Sequence, residues 1–196
     1  MFGQWATGGL GHFSVNERSG QAEYGAGARI GFATSLRSSF FGDMQMNIPR
    51  VEQWDNSYGA RGVLSVGIAP FTRHRGEHLH FQETLSVGCT RRIGRIHRKV
   101  RSAYIYWGVA GGLVHQALRY ATTVTNLLDG TQASFDGTAD HFDVRIGPML
   151  GFRSRESGGR FFAEATPTLQ HALDERSAAW DLRYAIAIGY LWNLGD

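Results

Sequence analysis

A histidine and a serine near the start of the chain form the first pattern that could carry chemistry. His12 and Ser14 are two residues apart in a segment that alternates between apolar and other side chains, so both point to the same face of a strand. A histidine in this position could act as the base that activates a serine hydroxyl as a nucleophile. An ordinary polar pair is the alternative interpretation.

The same pair resembles the His-x-Ser pair of the outer-membrane lipid A deacylases. In those enzymes a glutamate further along the chain orients the histidine. The resemblance implies a membrane-embedded lipid hydrolase in which Glu17 or Glu23 has that role, with His12, Ser14 and Glu23 as the candidate catalytic residues.

A second group of polar residues surrounds two closely spaced histidines. His78 and His80 share one strand face, and His74 and Glu77 lie nearby. Two imidazoles at this spacing could chelate zinc or copper, but a dedicated site needs a third ligand in a fixed position. No third ligand is assigned by the sequence, so we predict a polar cluster near a turn and no metal site.

Glu83 and a basic segment suggest contacts with a membrane. Glu83 shares a strand face with Leu85 and Val87, which predicts either a position at the rim of an apolar wall or a bulge that redirects the side chain. The basic side chains of residues 91–101 could bind lipid phosphates, with a solvated turn as the alternative. They are Arg91, Arg92, Arg95, Arg98, Lys99 and Arg101.

The elements that must position these residues are strands. From Trp180 to Leu194 one face carries only aromatic and aliphatic side chains, and the other carries mainly small or charged ones. A period of two over this length predicts a long strand. The same pattern predicts further strands over residues 4–15, 22–32, 57–68, 79–90, 103–114, 142–153 and 161–170.

Turn signals lie between these segments. Asp129-Gly130 predicts a tight turn in a long protruding hairpin over residues 117–140, and residues 16–20, 72–77 and 155–159 are predicted as polar connections. Residues 35–55 form either a long connection or further strand structure, which would raise the strand number from about eight to ten. We expect one domain over residues 1–196.

Composition excludes several classes of protein. The chain has 196 residues, 26 glycines, one cysteine and a net charge of +3. No run of about 20 apolar residues exists that could form a transmembrane helix. The charge is too modest to indicate nucleic-acid binding, and one cysteine permits no intrachain disulfide. We identify no signal peptide in these residues.

The two faces of the predicted strands indicate which side is buried. The apolar face carries no charge in the five clearest strands, whereas glycine and balanced opposite charges occupy the other face. An apolar band with aromatic ends is typical of a wall that faces lipid. The predicted ion pairs of the barrel interior involve Glu23, Arg29, Arg61, Asp143, Arg145, Glu164, Asp181 and Arg183.

The alternative is a soluble, calycin-like barrel with the apolar face inward around an apolar ligand. Such a protein would have an exterior rich in glycine and sparse in charge. We therefore favour the membrane barrel.

The pattern resembles the small eight-stranded outer-membrane barrels of Gram-negative bacteria, the OmpA/OmpX type. The C-terminal Gly-x-x-aromatic-x-hydrophobic run, which contains Gly189, Trp192 and Leu194, is similar to their assembly signal. The resemblance implies an all-β, antiparallel, up-and-down transmembrane β-barrel with a porin-like fold. It also implies an outer-membrane location, with membrane lipids, lipopolysaccharide and the barrel-assembly machinery as partners.

Three functions follow as hypotheses. The first is a barrel filled by its own side chains that acts non-enzymatically through its loops in surface interaction, envelope integrity or partner assembly. The second is the lipid A deacylase-like hydrolase, and the third is the soluble barrel. We expect no cofactor and no nucleic-acid partner, and, with both termini periplasmic, the 117–140 hairpin outside the cell.

Overall fold

All regular secondary structure in the described chain is β-strand. The computed structural model describes residues 4–58, 72–93, 103–154, 159–173 and 179–194. Its strands are β1 Gln4–Asn16, β2 Ala22–Ala33, β3 Ser38–Asn47, β4 Arg50–Tyr58, β5 Thr72–Arg92, β6 Tyr104–Asn126, β7 Gln132–Arg153, β8 Gly159–Ala172 and β9 Trp180–Leu194. Within these residues, no helix is long and apolar enough to cross a membrane.

The described residues divide into two compact units. The barrel unit contains those within Met1–Ile48, Gln82–His115 and His141–Asp196, and the second unit contains those within Pro49–Phe81 and Gln116–Asp140. The strands β5, β6 and β7 contribute residues to both units. The expectation of a single domain stays a prediction.

Eight strands close on themselves in the barrel unit. The order of hydrogen-bonded neighbours runs β3-β2-β1-β9-β8-β7-β6-β5, and β3 also pairs with β5. The pairing of β3 with β5 extends from Ser38↔Arg91 to Met46↔Glu83 and completes the ring of hydrogen-bonded strands. The predicted all-β, antiparallel, up-and-down barrel of about eight strands is therefore confirmed.

The second unit contains a two-stranded ladder and a hairpin tip. β4 pairs with β5 from Arg50↔His80 to Tyr58↔Thr72. At the tip, the N–H of Gly130 donates to the carbonyl of Asn126 at 2.8 Å, and Gly130 has a φ of 73°. That left-handed conformation suits glycine, so the predicted Asp129-Gly130 turn is confirmed.

Two sequence interpretations are decided outside the clearly alternating strands: of the alternatives left open for residues 35–55, strand structure is the right one, and the turn predicted at residues 72–77 is wrong. Residues 35–55 contain β3 and the start of β4, interrupted at Ile48 and Pro49, because proline lacks the N–H that would continue a ladder. Residues 72–77 are part of β5 and not a turn. These residues are polar, as turn residues usually are, because the side chains on both faces of the strand are exposed or only partly buried there. Most of the strand predicted over 57–68 lies outside the described residues.

The barrel wall is apolar outside and polar inside. On β9 the outward side chains of Tyr184, Ile186 and Ile188 are 51%, 51% and 50% exposed. The buried polar side chains of the barrel interior include Arg29, Asp43, Gln45, Thr84, Ser86, Asp143, Arg153, Glu164, Thr168 and Gln170. A soluble barrel with an apolar interior is therefore the wrong alternative, since the distribution of polarity is the reverse.

Two prolines lie side by side in neighbouring strands of the barrel wall. Pro148 lies in β7 and Pro167 in β8, and the register of the two strands places them opposite one another. The ladder is interrupted there: pairing extends to Ile146↔Leu169 and resumes at Leu150↔Ala165. Both prolines therefore lie within strands, at a gap in hydrogen bonding that neither could fill as a donor.

Candidate functional site

An arginine held between two carboxylates forms the centre of the barrel interior. Arg29 points inward from β2, and the register places Asp43 of β3 directly beside it. The guanidinium donates to both oxygens of Asp43 at 2.6 and 2.7 Å and to both oxygens of Glu164 at 2.6 and 2.7 Å. All three side chains are at most 3% exposed, so the interaction is a buried, doubly bidentate ion pair.

Aromatic side chains enclose this ion pair. The Arg29 guanidinium lies 4.3 Å from the ring centre of Phe41 and 4.5 Å from that of Phe162. Tyr106 donates its hydroxyl to Glu164, and Arg153 lies over the Tyr106 ring at 4.6 Å. Cation–π contacts are stronger where water is excluded, so these rings both stabilise the arginine and fill the interior.

Glycines make room for these aromatic rings. A Cβ at Gly189 would collide with the ring of Phe162, and a Cβ at Gly151 would collide with that of Tyr106. Gly189 and Gly151 are therefore matched to the large side chains beside them. This explains why the polar face of the sequence combines glycine with charge.

A second polar network uses the three candidate catalytic residues. Arg183 donates to Glu23 at 2.8 Å, Asn47 donates to Glu23 at 2.9 Å, and the Ser14 hydroxyl donates to it at 3.5 Å. His12 Nε2 lies 2.6 Å from Asn47 Oδ1. Glu23 thus contacts Ser14 and not His12, and the described contacts include no hydrogen bond between His12 and Ser14. The structure does not assemble a base–nucleophile pair.

The other predicted interior charges have different surroundings. Asp143 is buried and accepts a hydrogen bond from Gln170. Asp181 instead forms a surface pair with Arg18 at 3.7 Å, with side chains 40% and 75% exposed. Arg145 hydrogen-bonds Gln45 and Ser86. Arg61 lies outside the described residues.

The basic segment is described only in part. Arg91 is exposed and points outward at the end of β5, whereas Arg92 turns inward with its guanidinium 4.7 Å from the ring centre of Tyr104. Alternation along the strand separates the two, so Arg91 alone of this pair points outward, and contact with lipid phosphate stays a prediction. Outside the described residues are Arg95, Arg98, Lys99 and Arg101.

The clustered histidines lie in the second unit and contact different neighbours. His74 is 3.1 Å from the Thr72 hydroxyl, His78 stacks on Trp54 with ring centres 4.1 Å apart, and His80 is 3.3 Å from Gln116. Glu77 is exposed and pairs in register with Gln53. No group of three or more metal-ligating side chains occurs in the described part of the chain.

Glu83 has a partner that the sequence did not reveal. Its carboxylate lies 3.7 Å from His115 Nδ1, on the outward face of β5 and β6. His115 in turn stacks on Phe142, with ring centres 4.8 Å apart. The glutamate therefore remains on the apolar wall, with an imidazole beside it.

The residues of the proposed assembly signal lie at the end of β9. Trp192 and Leu194 are 53% and 52% exposed on the outward face, and Gly189 is the inward glycine beneath Phe162. The contact with the Phe162 ring explains why position 189 is a glycine. The role of these residues in assembly stays a prediction.

Ion pairs lower the pKa of Asp55, a carboxylate of the second unit. Arg73 donates to both oxygens of Asp55, at 2.8 and 2.5 Å, and Arg75 donates to Asp55 Oδ2 at 3.1 Å. These hydrogen bonds, chiefly that from Arg73, lower the pKa of Asp55 to about 2. The ion pairs of the Asp55 carboxylate therefore contribute their full stabilisation above the ordinary aspartate pKa of 3.8. This stabilisation is lost as the pH falls through about 2.

We expect Arg73→Gln to raise the pKa of Asp55 toward 3.8, and Arg75→Gln to raise it less, because Arg73 has the dominant hydrogen bond. Titration of the Asp55 carboxyl carbon by NMR in detergent micelles measures both changes. An unchanged midpoint in Arg73→Gln would show that the bidentate contact does not persist in solution.

Comparisons with known proteins support the fold. No protein-family model matches the chain, and no curated protein matches it. Neisserial surface protein A (NspA) is similar in structure, with a TM-score of 0.51, 8% identity and 97% of each chain covered. The N-terminal β-barrel domain of Pseudomonas aeruginosa OprF has a TM-score of 0.43 at 15% identity, covering 98% of this chain and 99% of its own.

The attachment invasion locus protein Ail of Yersinia pestis, in complex with the heparin analogue sucrose octasulfate, has a TM-score of 0.43 at 12% identity. The match covers 99% of this chain and 100% of Ail. The similarity to NspA, together with the closed ring of strands and the inverted polarity, shows that the chain has the fold of a small outer-membrane β-barrel. The resemblance to this class is thus confirmed at the level of fold.

Proposed function

We propose that this protein is an integral outer-membrane barrel that acts without catalysis, through its loops, in surface interaction, envelope integrity or partner assembly. The observation that carries the proposal is the filled interior. Arg29 is ion-paired with Asp43 and Glu164 between Phe41 and Phe162, at the place where a wide pore would need water. An eight-stranded barrel is just wide enough for such side chains.

The location in the outer membrane is supported by the exposed apolar wall. Because the strands form a closed ring, the described part of the barrel unit has no free strand edge, whose unpaired backbone N–H and C=O groups would be costly in the hydrocarbon core of a bilayer. Membrane lipids and lipopolysaccharide are then the immediate surroundings, and Arg91 is a candidate contact for their phosphates. We further propose that the barrel-assembly machinery recognises the end of β9.

The second unit is the proposed element of interaction. Its hairpin tip exposes Leu127 and Leu128, which are 52% and 58% accessible, and Phe135 on β7 is 57% accessible. Exposed apolar side chains at a turn favour contact with another macromolecule or a surface. Residues 117–140 would be extracellular in this arrangement, as the sequence predicts.

Electrophoresis with and without boiling tests the membrane-barrel part of the proposal. The detergent-solubilised protein should migrate as a compact species before boiling and as a slower, unfolded species afterwards, because the closed barrel resists detergent. Full solubility without detergent, with no shift on boiling, would contradict it.

Conductance across a planar bilayer tests the filled interior. We expect no steps of the size given by a general diffusion porin, because the Arg29 network occupies the cross-section of the barrel. A 16-stranded porin reconstituted in the same bilayer is the control. Large, stable steps from the wild-type protein would show that the interior opens and would reject the proposal.

Whole-cell proteolysis tests the position of the interaction element. A protease site inserted between Asp129 and Gly130 should be cut in intact cells, because the proposal places this turn outside. The matched control is the same site inserted after Leu36, in the β2–β3 turn, which should be cut only after the outer membrane is permeabilised. Resistance of the first insertion, or cleavage of the second in intact cells, would reverse the assignment.

A further inference from the structure

Two adjacent leucines form the apex of the β6–β7 hairpin. Leu127 and Leu128 follow the last residue of β6, and their side chains are 52% and 58% exposed. Turn positions are usually occupied by glycine, proline, asparagine, aspartate or serine, each of which favours a turn conformation. Two large aliphatic residues have no such preference, so the conformation of the turn does not explain why they are there.

The polar groups of this turn are hydrogen-bonded within the turn itself. The N–H groups of Gly130 and Asn126 donate to the backbone carbonyls of Asn126 and Thr131, at 2.8 and 2.9 Å. The Asn126 side chain accepts from the N–H of Leu128 at 3.0 Å. Asp129 accepts from the N–H and the hydroxyl of Thr131, at 2.9 and 2.7 Å. Because these backbone groups already have partners, the leucines can leave water without burying unpaired donors beside them.

Charge is almost absent around the apex. Between Tyr120 and Phe135 the only charged side chain is Asp129. Hydrogen bonds from Thr131, chiefly that from its hydroxyl, lower the pKa of Asp129, so this carboxylate is ionised at neutral pH. Over the hairpin of residues 117–140, three aspartates outnumber one arginine. An electrically neutral surface can therefore approach the apex, whereas an anionic surface is repelled.

The apolar surface of the apex is too small for a stable protein interface. A typical interface buries about 800 Å² on each partner, from about 20–30 residues. The apolar surface at this apex comes from the side chains of Leu127 and Leu128 alone. A lipid bilayer has no comparable size requirement, because single apolar side chains can enter the boundary between headgroups and acyl chains. A small convex apex therefore fits a fluid surface better than it fits a protein.

We infer that Leu127 and Leu128 anchor the hairpin in a second bilayer, other than the one that holds the barrel, and that the headgroups of this bilayer are zwitterionic, as in phosphatidylcholine. The inference rests on the proposed function, because the hairpin must lie outside the cell to reach another membrane. The leucines enter the boundary of the acyl chains, and Asp129 stays among the headgroups. One such contact is weak, and many copies in one membrane make the attachment strong.

Docking of proteoliposomes tests the inference with many copies of the barrel. Phosphatidylcholine vesicles that contain the protein are added to a supported phosphatidylcholine bilayer, and the bound vesicles are counted against protein-free vesicles. The double variant Leu127→Ser/Leu128→Ser should bind about tenfold less than the wild type, because both apolar side chains are lost. A supported phosphatidylglycerol bilayer should bind the wild type less well than phosphatidylcholine does.

The matched control is Leu36→Ser in the β2–β3 turn, where the leucine is 60% exposed. This variant should dock as the wild type does, and both variants should keep the shift on boiling. Equal docking of the double variant and the wild type would overturn the inference, as would stronger docking to phosphatidylglycerol. A protein that inserts into vesicles but does not dock overturns this inference alone. A protein that does not insert contradicts the proposed membrane barrel as well.

Fluorescence from the apex provides a direct second test. Cys89 is the only cysteine, so Leu128→Cys in a Cys89→Ser background carries a single environment-sensitive fluorophore. Its emission should shift to the blue, and it should be quenched by brominated phosphatidylcholine placed only in the added vesicles. The control label at Thr138→Cys, about 26 Å along the strand from Gly130, should show neither effect. An unchanged emission at position 128, or an equal response at both positions, would overturn the anchor at the apex.

Discussion

Arg29→Met should be the most damaging substitution of the barrel interior, with a loss of about 3–5 kcal/mol in the free energy of unfolding. The change leaves Asp43 and Glu164 buried without the guanidinium that donates to all four of their oxygens. A buried charge without a partner is far more costly than the buried pair itself. Urea unfolding in lipid vesicles, monitored by the loss of the heat-modifiable species, measures the effect.

Two control variants separate the ion pair from other consequences of losing an arginine. Arg18→Met removes an exposed arginine, 75% accessible, and should change stability by less than about 1 kcal/mol. Adding Asp43→Asn and Glu164→Gln to Arg29→Met neutralises both carboxylates and should recover part of the loss, in a non-additive way. If Arg29→Met were as stable as Arg18→Met, the network would not hold the interior together.

Ile186→Arg should be the most damaging substitution of the outer wall, at about 2–4 kcal/mol. Ile186 lies near the middle of β9 and is half exposed, with Phe13 and Ala165 as its neighbours on the adjoining strands. In hydrocarbon, an arginine at mid-depth must bring water with it or deform the bilayer. The same unfolding measurement in vesicles gives the cost.

The matched variant is Trp180→Arg, at the first residue of the same strand. Because the cost of a charge falls toward the interface, this substitution should lose only about 0–1 kcal/mol, apart from the stacking of Trp180 on His171. The difference in the free energy of unfolding between Ile186→Arg and Trp180→Arg therefore measures how the cost of a charge depends on its depth in the bilayer. Equal costs at both positions would argue against a wall immersed in lipid.

Alternation predicted the barrel because one sheet face is polar and the other apolar. On β8 the adjacent residues Phe161 and Phe162 were assigned to opposite faces, and they are 38% and 0% exposed. The inward charges of Arg29 and Glu164 were found in the same way. This pattern can be recognised in a single sequence because the two faces need different side chains. A shift of the strand by one residue would move every side chain to the opposite face of the sheet.

The sequence could not predict the partners within the site or the β4–β5 ladder of the second unit. Asp43, the carboxylate beside Arg29, lies in the 35–55 segment, where no strand was assigned. The contact of Arg29 with Glu164 joins strands 135 positions apart, and no local pattern encodes that register. In the second unit, one face of β5 is exposed over residues 72–77 and the other is only partly buried, and both carry mainly polar side chains, so no alternation of apolar and polar residues marks the strand.

The pairing of β1 with β9 has a consequence for the timing of folding. These strands join along their length, from Trp5↔Leu194 to Asn16↔Arg183, so the wall can close only after β9, which follows the other described strands in the chain, has been synthesised. Until then, β1 and β8 each present a free edge that could pair with another chain. Integration into a membrane must therefore wait until β9 has been synthesised, and a chain truncated before residue 180 should aggregate rather than insert.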